Sequence, residues 1–186
     1  MARRLDVGPG WAAMMGLLFY LCPDRVFGAF LAAAVCHELG HAAVLVLLGV
    51  RLDGLRLRLG GAELVTGPMD YRRELLCALA GPAAGLAALL ARRRFPAFAL
   101  FSLALTAYNL LPLWPLDGGR ALRAALLLTL PEQTARRISA LAGIAACLAL
   151  AAGALYLSIR LHAGLWPVLL AALSCLRAAP PWKNGL

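Results

Sequence analysis

Two of the three histidines of this chain lie four residues apart, in the pentapeptide His37-Glu38-Leu39-Gly40-His41. Positions i and i+4 share one face of an α-helix, so both imidazoles can bind one Zn²⁺. Glu38 would then stand beside the metal, where its carboxylate can act as a general base toward an attacking water. The alternative is that these polar side chains only make hydrogen bonds between helices. We favour the first interpretation, which predicts a hydrolytic site with one zinc ion per chain.

The residues around the pentapeptide are those of a membrane protein. Hydrophobic residues make up 62% and charged residues 15% of the 186 residues, and none is charged from Val26 through Cys36. Soluble domains are about half apolar and about a quarter charged. Ionisable groups inside a membrane are costly, and those found there are by default functional. We therefore expect an integral membrane protein whose site lies at membrane depth in the lipid bilayer.

Charge and cysteine content exclude two further classes of site. The formal net charge is +9, but the arginines cluster at the ends of apolar runs and form no basic stripe interleaved with aromatic residues. Roles in topology and in contact with lipid headgroups explain these arginines, so no nucleic-acid partner is expected. The five cysteines are scattered singly, which argues against a disulfide framework and against a cysteine zinc site.

Apolar runs predict an all-α polytopic membrane protein with about six transmembrane helices. The predicted helices cover about residues 10–22, 26–49, 74–91, 95–113, 138–159 and 163–177. Between the second and third helices, Arg51–Asp70 partly alternates apolar and charged residues, which predicts a small β-hairpin or sheet. The edge of such a sheet can accept an extended peptide as an added strand, although a merely structural connector is the alternative.

The whole chain, 1–186, is predicted to form a single membrane domain, and its cations predict the orientation of that domain. With a cytoplasmic N-terminus, thirteen of the 18 Lys and Arg residues, Arg3 and Lys183 among them, lie on the inner side. The positive-inside rule then places both termini in the cytoplasm. The run Arg92-Arg93-Arg94 falls on the outer side and argues against this orientation.

A catalytic zinc site takes three protein ligands and keeps a position for water, so a third ligand is needed. Asp117 is the candidate, because the other acidic residues outside the pentapeptide lie at membrane edges or in the loop after the second helix. On a straight helix Asp117 would lie far from the histidines. Pro112 and Pro115 break the helix, and Gly118-Gly119 permits unusual backbone angles. Irregular backbone at membrane depth is tolerated where it lines a cavity. The alternative is an interfacial turn that ends a span.

Two further features of the sequence are assigned less specific roles. Asn109 lies two turns before the break, where its amide could hold a substrate backbone or stabilise an oxyanion, or could instead satisfy a carbonyl of the broken helix. Gly81 and Gly85 stand at i and i+4 in the third span and favour close helix packing. That packing is compatible with a homo-oligomer but does not require one.

Together these residues resemble the site-2 protease family of intramembrane zinc metalloproteases. The resemblance rests on the pentapeptide 37–41, on Gly81-Pro82 and on the block 109–119, and it covers about residues 26–123 as a catalytic core. The helices at about 10–22, 138–159 and 163–177 would be accessory. The resemblance implies the zinc ligands His37, His41 and Asp117, with Glu38 as general base. It also implies a membrane-associated protein substrate that is cleaved within or near a transmembrane segment.

Within that family the chain is most similar to the sporulation branch, whose members activate a sigma-factor precursor in a bacterial cell membrane. The six-span layout and the run 59–64 carry this similarity. The similarity is to members of the branch without a PDZ domain or a C-terminal CBS domain, so neither domain is expected. Gly85 and Trp114 depart from the family pattern without replacing a ligand. An inhibitory membrane partner is implied by the same similarity.

The competing class is a non-proteolytic membrane protein, either a metal transporter or an inactive scaffold derived from a protease. A transporter needs polar groups along a path through the membrane. The last two predicted spans offer only three serines and an edge histidine, which are Ser139, Ser158, Ser174 and His162. The sequence therefore favours the protease.

Overall fold

The computed structural model describes residues 4–58, 61–162 and 164–178, and these residues form a mostly helical protein with a small three-stranded sheet. The elements are β1 (Arg4–Val7), α1 (Pro9–Leu21), α2 (Asp24–Leu47), β2 (Leu52–Arg58), β3 (Gly61–Thr66), α3 (Tyr71–Ala87), α4 (Pro96–Asn109), α5 (Asp117–Thr129), α6 (Glu132–Arg160) and α7 (Trp166–Arg177). Arg3, Leu59, Gly60 and Lys183, used in the sequence analysis, lie outside the described residues.

Three helices of the described part are long and apolar enough to cross a bilayer. They are Asp24–Leu47, Tyr71–Ala91 (α3 with the 3₁₀ turn that follows it) and Glu132–Arg160. α1 and α7 are shorter apolar helices. The predicted membrane protein with mostly helical structure and a small sheet is thus confirmed at this level.

Backbone contacts divide the chain into two compact units, one ending at Tyr108 and one beginning at Asn109. In the first unit, α2 buries a single narrow stripe of residues spaced by four: Ala33, His37, His41 and Leu45. This spacing keeps all four on one helix face. The remaining surface of α2 is apolar and largely exposed, as expected of a helix that faces lipid.

Next to this buried stripe, α2 packs against α3 at very short range. A Cβ on Gly40 would lie 2.6 Å from the carbonyl oxygen of Ala80 and 2.7 Å from the Cβ of Ala84. Only glycine allows the two backbones to come this close. The small side chains of α3 complete the contact, because Ala78 and Ala80 are almost fully buried.

The sheet is built from the segment between α2 and α3 together with the N-terminal strand. β2 pairs with β3 in antiparallel fashion, with Leu55 opposite Leu64, and β1 pairs with β2 in parallel fashion. An ion pair of 2.5 Å joins Asp6 of β1 to Arg58 of β2. No sequence pattern predicted β1, since four residues are too few to show a period.

The second unit begins with a turn, as Pro112 and Pro115 led us to expect. The helix before this turn, α4, ends earlier than predicted. The predicted helix 95–113 was wrong at its C-terminus, because α4 ends at Asn109. The chain then folds back over the start of α5. A Cβ on Gly118 would lie 2.6 Å from the carbonyl oxygen of Leu111, and one on Gly119 would lie 2.7 Å from the amide nitrogen of Trp114. The two glycines therefore permit this close return of the backbone.

The helices after this turn also correct the predicted bounds. α5 was not predicted as a helix, because its arginines interrupt the apolar run. α6 begins at Glu132 and not near residue 138, and its first turn is supported by a Glu132–Arg136 ion pair of 2.6 Å at i,i+4 spacing. α7 begins at Trp166 and not near residue 163.

The Gly40 contact generates a prediction about stability. Gly40→Ala should destabilise the protein by about 1–3 kcal/mol, because the new methyl group forces α2 and α3 apart. Gly28→Ala is the matched control, since it lies on the same helix with nothing within 4 Å of its added Cβ and has the same gain in helix propensity. Thermal unfolding in detergent, followed by circular dichroism, measures both. Equal unfolding temperatures for the two variants would contradict the contact.

Candidate metal centre

The two histidines of α2 face each other inside the first unit. His37 and His41 are only 5% and 6% exposed. Their Nε2 atoms lie 3.3 Å apart, and their rings are 4.9 Å apart, centroid to centroid. The predicted shared face is therefore present, with one ring nitrogen of each histidine directed toward the same point.

A hydrogen bond from α3 sets the protonation of one of these rings. The Nδ1 atom of His41 lies 2.7 Å from the carbonyl oxygen of Cys77. Because a carbonyl oxygen only accepts, the proton resides on Nδ1, and the Nε2 atom of a neutral His41 ring carries a lone pair. Metal-bound histidines commonly donate their second ring nitrogen to a backbone carbonyl in this way. His41 is thus held in the tautomer that a metal ligand requires.

Gly81 of α3 leaves room directly in front of the two rings. A Cβ at this position would collide with the Nε2 atom of His41 and would lie 2.7 Å from the Nε2 atom of His37. The absence of a side chain therefore keeps open the space in front of both Nε2 atoms. From the sequence, this glycine was predicted only to favour close helix packing. The structure adds that its missing side chain fits a bound ion.

Asp117 is the first residue of α5 and is 7% exposed. Its Oδ1 atom lies 3.8 Å from the guanidinium of Arg120, one turn further along α5. His37, His41 and Asp117 form a group that could hold a metal ion, because one ligand atom of each lies within 4.8 Å of the others. Two imidazoles and one carboxylate are a usual ligand set of catalytic zinc, and they leave a coordination position for water.

The remaining predicted site residues, Glu38 and Asn109, are both half-buried. Glu38 follows His37 on α2, and Asn109 is the last residue of α4. Their catalytic roles stay predictions.

The Cys77 carbonyl was not predicted as a partner of His41. Every residue carries a backbone carbonyl, so residue types give no signal for this contact. Gly81 did give a signal through its i,i+4 spacing from Gly85. That spacing predicts close helix packing but does not predict that the imidazoles lie in front of Gly81.

Comparison with known proteins finds similar chains. The family model described as "Peptidase family M50" matches residues 79–150, which include Asp117 but neither His37 nor His41. Stage IV sporulation protein FB of Bacillus subtilis is 32% identical over 140 residues, which are 68% of this chain and 49% of that protein. A zinc metalloprotease of Methanocaldococcus jannaschii is 30% identical over 130 residues, which are 62% of this chain and 35% of that protein. The chain thus spans half or less of the length of these curated relatives.

A solved structure shows the same fold. The site-2 protease from Methanocaldococcus jannaschii superposes with a TM-score of 0.65 at 23% sequence identity, and the match covers 96% of this chain and 90% of that one. At this identity the similarity establishes the fold and not the activity.

The open space at Gly81 generates a prediction about metal binding. Gly81→Ala should lower the zinc content of the purified protein at least about tenfold, because the methyl group enters the space between the two Nε2 atoms. Zinc per chain is measured by elemental mass spectrometry, and circular dichroism reports whether the helices persist. Gly16→Ala, with nothing near its added Cβ, serves as the control. Wild-type zinc content in Gly81→Ala would show that the ion does not lie in front of these nitrogens.

Proposed function

Because the chain carries a domain of peptidase family M50, the site-2 proteases, we propose that it is an intramembrane zinc metalloprotease. It cleaves a membrane-associated protein within or near a transmembrane segment. The observation that carries this proposal is the group formed by His37, His41 and Asp117. One ligand atom of each residue lies within 4.8 Å of the others, close enough to bind the same metal ion. Ionisable groups inside membrane spans are costly, and those found there are by default functional.

His37 and His41 would hold one zinc ion through their ring nitrogens, and Asp117 would hold it through its carboxylate. A zinc ion held there would supply a Lewis acid that polarises the scissile carbonyl and would lower the pKa of water toward 7. The hydrogen bond to the Cys77 carbonyl keeps the His41 ring oriented during turnover.

Glu38 moves the proton in this mechanism. Its carboxylate takes a proton from the attacking water and then delivers it to the nitrogen of the leaving amine. Its place directly after His37, half-buried on α2, supports this role. Asn109 would bind the substrate backbone through its side-chain amide, which has both donor and acceptor atoms.

The substrate must reach the site with an unwound backbone, since helical peptide bonds are shielded. The strand order β1-β2-β3 makes β3 an edge of the sheet, where an extended substrate segment can add as a further strand. A sigma-factor precursor is the substrate that we propose, supported by the similarity to a sporulation protein of Bacillus subtilis.

The membrane arrangement that we propose has six spans, formed by α1, α2, α3, α4, α6 and α7. α1, α4 and α7 have 13, 14 and 12 residues, fewer than the about 20 that a bilayer needs, so these spans require local thinning of the membrane. The excess of cations on one side supports cytoplasmic termini. A bacterial cell membrane is the location that we propose, because of the similarity to a sporulation protein of Bacillus subtilis.

Two substitutions separate catalysis from metal binding. Glu38→Gln should retain about one zinc ion per chain and lose cleavage by about 10²–10⁴-fold, because the amide cannot take the proton. Asp117→Ala should lose both zinc and cleavage, because a ligand is removed. Each variant is co-expressed with an epitope-tagged, membrane-associated sigma-factor precursor, and a shorter product is sought by immunoblot while zinc is measured separately.

Glu132→Gln and Asp24→Ala are the matched controls, since both acids are exposed. Each should leave cleavage and zinc content at wild-type levels. Full cleavage by Glu38→Gln would rule out the proposed mechanism. Bound zinc without cleavage by the wild type would indicate a different substrate.

A further inference from the structure

Four exposed arginines of the first unit have no role in the proposed proteolysis. Arg25 is the second residue of α2, and Arg92, Arg93 and Arg94 form the turn that precedes α4. The triplet is also the exception to the predicted charge asymmetry, since it falls on the side of the membrane with fewer cations. A cost of this kind suggests that something on that side interacts with these charges.

The contacts between α2 and α3 show that the two helices are antiparallel. A Cβ on Gly81 of α3 would lie 2.7 Å from the Nε2 atom of His37 on α2. His41, one turn later on α2, contacts the carbonyl oxygen of Cys77, one turn earlier on α3. The start of α2 therefore lies beside the end of α3.

This register places Arg25 and Arg93 at the same level. Arg25 precedes His37 by twelve residues, and Arg93 follows Gly81 by twelve residues. At about 1.5 Å per residue, both arginines lie about 18 Å from the contact between His37 and Gly81. His37 is the fourteenth of the 24 residues of α2, so this contact lies near the middle of the span. The hydrocarbon of a bilayer extends about 15 Å from its midplane and the headgroups about 20–22 Å, so the arginines lie at headgroup depth.

Two further contacts describe the surroundings of the triplet. Phe30 of α2 packs edge-to-face on Phe101 of α4, with ring centroids 5.8 Å apart, so α4 also begins at this end of the unit. Leu90 and Phe95 flank the triplet in the sequence and are 86% and 57% exposed. Large apolar side chains that are exposed beside a cationic group at the end of a span are typical of a surface that meets lipid.

The charges of the four arginines are not balanced within the protein. None of their guanidinium groups forms an ion pair or a hydrogen bond with a described residue. Elsewhere in the first unit, Arg58 pairs with Asp6 and Arg73 pairs with Asp70. With the neighbouring Asp24, the four arginines keep a formal charge of +3, from four cations and one anion.

We propose that Arg25 and the triplet 92–94 bind the headgroups of anionic phospholipids. Guanidinium groups donate two hydrogen bonds at once to phosphate oxygens, and cations near a lipid surface attract anionic lipids. The apolar neighbours Leu90 and Phe95 favour a lipid over a soluble acidic partner, because they contact the acyl region below the same headgroups. The lipids hold the start of α2 and the start of α4 at the membrane surface. The proposal requires that α2 and α3 cross a membrane, and it does not depend on proteolysis.

The lipid selectivity of the full chain in detergent tests this proposal. Immobilised protein is equilibrated with mixed micelles of equimolar phosphatidylglycerol and phosphatidylcholine with the same acyl chains, and the bound lipids are counted by mass spectrometry. The wild type should retain phosphatidylglycerol over phosphatidylcholine at least about tenfold, since one cation near the surface contributes a factor of about five. Raising NaCl from about 0.1 M to about 1 M shortens the screening length from about 10 Å to about 3 Å and should remove most of this preference.

Two triple variants with the same change in net charge locate the site. The first replaces the unpaired triplet, as Arg92→Gln, Arg93→Gln and Arg94→Gln, and should lower the preference about tenfold. The second replaces three exposed arginines that each pair with a carboxylate, as Arg58→Gln, Arg73→Gln and Arg136→Gln. This control should keep the preference within about twofold of wild type. Circular dichroism reports whether the helices persist in both variants.

Several outcomes would overturn the proposal. Equal retention of the two lipids by the wild type would do so without any variant. An equal loss of preference in both triple variants would assign the selectivity to net charge and not to this site. Displacement of the lipid by sodium phosphate at the ionic strength of the NaCl buffer would assign the arginines to inorganic anions. Preferential retention of poly-glutamate would assign them to an acidic protein. Because cleavage is not measured, none of these outcomes bears on the proposed protease.

Discussion

Where α2 meets α3, Gly40 lies so close to Ala80 and Ala84 that a single methyl group would not fit. This short distance has two effects on the same helix turn. It brings the Nδ1 atom of His41 within hydrogen-bonding distance of the Cys77 carbonyl, and it brings Gly81 in front of both imidazoles. In a membrane there is little hydrophobic force between helices, so such close packing of small residues supplies much of the attraction. The same glycines that hold the helices together therefore also shape the site.

Asp117 reaches its position by a different physical route. Its segment does not rely on helix packing but on a backbone that turns after Asn109 and returns past Gly118 and Gly119. The carbonyls and amides of such a turn need partners at membrane depth. Several are satisfied inside the turn, as in the bonds from Leu113 N to Leu111 O at 2.7 Å and from Leu116 N to Leu113 O at 2.8 Å. A turn whose backbone groups are hydrogen-bonded within the turn can place a carboxylate where a straight helix cannot.

The sequence predicted those parts of the molecule that depend on residue type and spacing. The i,i+4 histidines, the break at Pro112 and Pro115 and the strands before α3 all leave such a pattern. The comparisons confirm the family that these patterns resemble. β1 and α5 left no pattern, because β1 has four residues and α5 carries arginines within its apolar run. The partner of His41 could not be predicted, since a backbone carbonyl is common to all residues and its position is known only once α2 and α3 are packed.

Charge balance explains why these few polar groups occur together in so apolar a chain. Two neutral imidazoles and one carboxylate leave a doubly charged cation with one uncompensated positive charge, and an uncompensated charge in a low-dielectric interior is costly. In the proposed mechanism the carboxylate of Glu38, beside His37, would supply the missing negative charge. The proton that Glu38 would take from water leaves a hydroxide behind, so the net charge of the site would stay the same during that step. Arg120, at 3.8 Å from Asp117, adds a positive charge nearby. The low dielectric of a membrane interior thus favours a mechanism in which the proton moves within the site, because no step then changes the total charge that is buried.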